Sequence, residues 1–169
     1  MKIDNRLKNI TLTGILAALI TLFTAYIFHI PMGFNGGYIH LGDSLIYLAA
    51  VLLPAPYAMA AGAIGGGLAD LLTAPMWAPA TVIIKVLVVL PFTSHHSKIL
   101  TKRNLLAPVI AMLITIVGYY LAEVILYGKE AAFIISVTTN LIQGAGSAAV
   151  FYVLSAALDK AGVKTLIAR

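Results

Sequence analysis

From Leu105 to Tyr127 the chain runs for 23 residues with a single charged side chain, Glu123. In hydrocarbon, every main-chain N–H and C=O must find its partner within the segment itself, so a run this long and apolar folds as a membrane-crossing helix. Five further apolar runs repeat the pattern. Divided at proline, glycine and charge, the chain yields spans near 10–30, 43–54, 56–74, 79–94, 105–127 and 131–158. Mean hydropathy is +0.99, with 61% hydrophobic and 10% charged residues, which no water-soluble domain of this length displays. The expected fold class is therefore an all-α integral membrane protein: six transmembrane helices in a single membrane domain over 1–169. The first apolar run, near 20 residues, exceeds the roughly 7–15 of a secretory h-region and lacks a small-x-small cleavage site, so it is expected as a retained span.

Charge placement orients the bundle. Nine of the eleven lysines and arginines fall in three short groups: Lys2, Arg6 and Lys8; Lys98, Lys102 and Arg103; Lys160, Lys164 and Arg169. Cytoplasmic loops carry such an excess, and an even number of spans returns the carboxyl end to the side of the amino end. Both termini are thus expected in the cytoplasm, and the net charge of +5 marks orientation at the lipid bilayer, with no nucleic-acid partner. Cysteine is absent, which removes disulfides, thiolate metal sites and cysteine nucleophiles.

Four charges sit inside otherwise apolar segments: Asp43, Asp70, Lys85 and Glu123. At about 1.5 Å of rise per residue, Asp70, Lys85 and Glu123 lie roughly 6, 9 and 7 Å from the outer ends of their helices. Asp43 is placed to cap the second helix. A charge in hydrocarbon costs at least about 2.5 kcal/mol, so Lys85 is expected to face the interior, with Asp70 or Glu123 as partner. Trp77, Tyr119, Asn140 and Gln143 lie at similar depth, and the first outer loop adds Asn35, Tyr38 and His40. Aromatic faces, amides and ionisable groups at one depth make an outward-facing binding pocket. A structural ion pair, an aromatic belt and interhelical hydrogen bonds are the plainer readings of the same residues. Gly14 and Ala18 form a small-x-x-x-small pair on helix one, a pattern that lets helices approach closely. His95-His96 is expected as a solvated loop, and no metal site or cofactor is expected.

No Gly-Lys-Ser/Thr phosphate cradle, H-E-x-x-H or G-x-S-x-G motif is present, so the chain is expected to be non-catalytic. Gly37-Tyr-Ile-His-Leu-Gly-Asp43, Gly62-Ala-Ile-Gly-Gly-Gly-Leu-Ala-Asp70 and Trp77-Ala-Pro-x-Thr-x-Ile-Ile-Lys85 resemble the substrate-binding S components of energy-coupling factor (ECF) vitamin transporters, in the riboflavin and hydroxymethylpyrimidine branch. The likeness covers residues 10–95 strongly; the last two helices match only in type. It implies capture of a small-molecule vitamin from outside under a lid formed by the first loop. It also implies assembly with a transmembrane coupling subunit and two cytoplasmic ATPase subunits, and places the family's A-x-x-x-A coupling motif on Gly14 and Ala18, where glycine departs from the pattern. Hydroxymethylpyrimidine or a pyridoxine-like ring is favoured, and riboflavin stays open. An autonomous small-solute carrier or channel is the alternative reading.

Overall fold

Prolines and glycines set most of the helix boundaries in the computed structural model, which describes residues 5–32 and 37–167. Helix α1 (Asn5–Ala25) is followed by a hairpin of β1 (Ile30–Met32) and β2 (Gly37–Ile39), then α2 (Gly42–Leu52) and α3 (Ala55–Thr73). A 3-10 turn over Pro75–Trp77 leads into α4 (Ala78–Val89), and α5 (Lys102–Tyr127), α6 (Lys129–Lys160) and a short α7 (Val163–Ile167) complete the chain.

The carboxyl-terminal end of the first expected span is corrected. Helix α1 stops at Ala25 rather than near residue 30, because Pro31 biases Ile30 toward extended backbone. A turn with Phe28 at φ 59° then feeds an antiparallel pairing of Ile30 with Ile39 and Pro31 with Tyr38. Pro91 likewise ends α4 at Val89, short of the expected 94. Thr101 starts α5 three residues earlier than expected, its hydroxyl accepting the Asn104 N–H at 3.2 Å. Gly128, at φ 87°, makes the reversal between α5 and α6 in a region glycine enters without steric cost.

Helix α1 packs on α3, α3 on α4, α4 on α5 and α5 on α6, with α2 held against α1, α3 and α6. Tyr47, Phe92 and Phe151 form a buried aromatic cluster with ring centroids 5.0–5.9 Å apart. The outward surface is apolar: Ile83 is 63% and Ile125 84% exposed, which water would not tolerate across so many positions and lipid does. Three helical stretches, Asn5–Ala25, Lys102–Tyr127 and Val137–Lys160, are long and apolar enough to cross a membrane alone, while Gly42–Leu52 and Pro75–Val89 are apolar but shorter. The molecule is a multi-pass membrane protein.

At the basic end the loop between α4 and α5 is tied down rather than loose. The Asn104 side chain accepts the Thr93 N–H at 2.8 Å and donates to the Thr93 and Ile99 carbonyls at 2.9 and 2.8 Å. Asp159 accepts the main-chain N–H groups of Ile99 and Leu100 at 2.7 and 2.9 Å. His95 and His96 are exposed on this loop.

Candidate functional site

Glycines on α3 make the trough in which the central lysine lies. A Cβ on Gly66 would stand 3.1 Å from Lys85 Cγ, and one on Gly62 would stand 3.3 Å from the Lys85 carbonyl. With neither Cβ present, the aliphatic stem of Lys85 lies flat against α3 and its ammonium reaches across to α2. There Nζ donates to Asp43 Oδ1 at 2.6 Å, with both side chains 1% exposed. The partner is thus Asp43, not Asp70 or Glu123. The capping role expected of Asp43 is corrected at the same time: Leu41 occupies the cap position, and the Asp43 carboxylate turns into the bundle from the first turn of α2.

Asp43 is doubly held. Gln143 Nε2, on α6, donates to Asp43 Oδ2 at 3.1 Å, and Gln143 Oε1 accepts the His40 N–H at 3.3 Å. The Lys85 ammonium also lies 5.5 Å from the centroid of the Tyr119 ring, on α5. Helices α2, α4, α5 and α6 therefore meet around one buried ion pair. Tyr119 in turn shares a 2.7 Å hydrogen bond with Thr81 and packs edge-on to Trp77, with ring centroids 6.1 Å apart.

The hairpin closes over this centre. Tyr38 Oη donates to Asp70 Oδ1 near the end of α3, and its ring stacks on His29 at 4.1 Å. Burial foremost, then the Asp70 carboxylate, pushes the Tyr38 hydroxyl far above its ordinary range, so it stays protonated and can donate to Asp70. His29 Nδ1–H donates to the Thr24 carbonyl at 3.0 Å. His40 Nδ1 accepts the Gly42 N–H at 3.0 Å, which requires that nitrogen to be unprotonated. The buried polar atoms without a hydrogen-bond partner among the described residues include Asp70 Oδ2 and Trp77 Nε1, in side chains 4% and 5% exposed.

Of the residues expected from the sequence, Tyr38, His40, Asp70, Trp77, Lys85, Tyr119 and Gln143 are joined by these contacts. Glu123 and Asn140 are buried on α5 and α6. Asn35 lies outside the described residues. Gly14 and Ala18 are exposed on the outward side of α1, and a Cβ on Gly14 would meet nothing within 4 Å. The intramolecular side of α1 is Ala17, Ile20 and Thr21, with Thr21 Oγ1 donating to the Gly65 carbonyl at 3.0 Å. His29 and Thr81 carry no signal in the sequence that singles them out. The Asp43 charge was visible but was assigned to a cap, and no spacing pattern announces a contact across 42 positions. Among the described residues no group of three or more His, Cys, Asp or Glu could hold a metal ion.

Burial, opposed by the nearby Asp43 carboxylate and reinforced by Lys85 and His29, lowers the His40 imidazole from 6.5 to about 4. A base with a lowered folded pKa stabilises the fold fully above its unfolded value and loses that contribution as the pH falls toward the folded one. Thermal stability in detergent is accordingly expected to drop between pH 6.5 and about 4, and His40→Gln is expected to flatten that part of the profile. A slope in this window unchanged by the substitution would mean that another group titrates.

Comparison with known proteins decides the family. The family model for ECF-type riboflavin transporter S components matches residues 4–160. The chain belongs to that family. An S component is a substrate-binding subunit of a membrane transporter. A Pyrococcus woesei protein described as "Uncharacterized protein in gap 3'region" is 32% identical over 135 residues, covering 73% of this chain and 88% of the relative. The structure reported as "Structure and mechanism of the S component of a bacterial ECF transporter" superposes with a TM-score of 0.71 at 20% identity, over 90% of this chain and 96% of that one. That likeness establishes the S-component fold.

Proposed function

We propose that the chain captures a flat, nitrogen-containing vitamin or vitamin precursor from outside the cell and releases it inward only in company with a coupling subunit and two ATPases. The family match over residues 4–160 carries this reading. The absence of any nucleotide-binding motif supports an external energy source. In this reading all six longer helices cross the bilayer, the short ones by borrowing interfacial residues, and both termini are cytoplasmic.

Most polar groups of the centre are committed to one another, while Asp70 Oδ2 is open to accept and Trp77 Nε1 to donate beside the aromatic faces of Trp77 and Tyr119. A heterocycle edge carrying a donor and an acceptor meets that demand. Two candidates fit: riboflavin, after which the family is described, and a single ring of the hydroxymethylpyrimidine or pyridoxine type. An autonomous carrier is disfavoured because the buried charges gather beneath the hairpin, while the Tyr47, Phe92 and Phe151 rings fill the bundle interior elsewhere.

Isothermal titration of the purified protein with riboflavin, hydroxymethylpyrimidine and pyridoxine, together with mass spectrometry of any co-purified molecule, tests this. One heterocycle is expected to bind, and Asp70→Asn or Trp77→Phe is expected to weaken it roughly 10-fold or more, the scale of a hydrogen bond to a charged or buried partner. Binding of none of the three, with nothing co-purified, would overturn the ligand assignment. Inward transport by the chain alone in liposomes would overturn the subunit assignment.

A further inference from the structure

We infer that the basic end of the bundle is a binding collar for anionic phospholipid. Among the described residues, seven lysines and arginines cluster there against one acid, Asp159. Asp159, whose two oxygens accept the main-chain N–H groups of Ile99 and Leu100, offsets one of the seven charges and leaves an excess of six. Separate chain segments bring the cations together. Asp159 draws Lys160 toward the loop that carries Lys98, Lys164 donates to the Ser94 carbonyl at 2.9 Å, and Lys8 donates to the Ile167 carbonyl. Arg103 donates to the Pro91 and Leu90 carbonyls at 2.7 and 3.0 Å, which fixes the start of α5 beneath Lys102. Carbonyl partners hold these side chains in place without cancelling their charge.

What lies beside the cations selects lipid over an acidic protein. Along α5, Lys102 is followed at helical spacing by Leu105, Leu106 and Val109, which are 46%, 64% and 48% exposed. A positive group at the rim with exposed leucines one and two turns deeper matches an anionic headgroup with acyl chains beneath it. A soluble acidic partner would meet the charge alone, whereas one lipid molecule meets the charge with its headgroup and the leucines with its chains.

The test compares wild type with a Lys98→Gln/Lys102→Gln/Lys160→Gln triple variant in nanodiscs of mixed phosphatidylglycerol and phosphatidylcholine. Lipid retained on the protein is read by native mass spectrometry. Wild type is expected to retain phosphatidylglycerol at least about 5-fold over its share, with the preference falling in 0.5 M salt, and the variant is expected to approach no preference. Unchanged helical circular dichroism and thermal midpoint establish that the variant is folded; if the triple variant does not fold, the three single variants, each with a partial loss, replace it. Equal retention of both lipids by wild type, or a preference that survives the substitutions, overturns the inference. Intact lipid preference with lost assembly onto a coupling subunit would assign the collar to protein docking instead.

Discussion

Lys85→Ala is expected to destabilise the protein by about 3–5 kcal/mol, because it strands the Asp43 carboxylate in the bundle with only Gln143 to answer it. Most of that cost is the uncompensated charge, not the attraction lost. Lys85→Met combined with Asp43→Asn should therefore recover much of the loss: methionine refills the trough over Gly62 and Gly66, and asparagine can keep a hydrogen bond to Gln143. Thermal unfolding followed through Trp77, the chain's one tryptophan and a neighbour of Tyr119, reads both variants. A double variant no more stable than Lys85→Ala would show that the pair contributes more than charge balance. Ligand titration of the double variant then separates two roles for the ammonium: retained affinity makes the pair a framework for the site, and lost affinity places Lys85 in contact with the ligand as well.

How far the site could be read from the sequence depends on the range of the interaction. Burial of a charge is a local property, legible in Thr81-Val-Ile-Ile-Lys85 because a lysine among β-branched residues has nowhere apolar to go without a partner. The identity of that partner is not local. Asp43 sits in the first turn of a helix, where a carboxylate already has a sufficient explanation in the exposed N–H groups and the helix dipole, so nothing in the sequence asks for a second one. Helix ends show the same division. Pro54 and Pro56 announce the start of α3 in the chain itself. The hairpin does not announce itself, since the three-residue strands Ile30–Met32 and Gly37–Ile39 are too short to display an alternation and gain their stability from Tyr38 docking on His29 and Asp70. Gly62 and Gly66 stand four apart in the sequence, as close-packing small residues do, yet that spacing does not say that they face Lys85 on α4 while Gly65 faces α1.

That division of α3 makes Gly65→Leu the most disruptive single substitution expected outside the charged centre. A Cβ at position 65 would stand 2.7 Å from Ile20 Cβ and 2.8 Å from the Ala17 carbonyl oxygen. The first would persist with any residue but glycine at position 20, and the second is main chain, so relieving them means moving the helix. Separation of α1 from α3 would also break the Thr21 hydrogen bond to the Gly65 carbonyl. It would further carry away the end of α1, where the Thr24 carbonyl anchors His29 and so the ring on which Tyr38 stacks. The cost is expected at or above the upper end of the roughly 1–3 kcal/mol of ordinary overpacking. Ligand affinity should fall with it, because the hairpin is hung from the displaced helix. Gly14→Leu, on the opposite side of the same helix where a Cβ meets nothing within 4 Å, is the matched control and should leave both stability and affinity unchanged. Equal losses in the two variants would mean that α1 responds to bulk on any face, and that the close approach to α3 has no special part in holding the hairpin over the site.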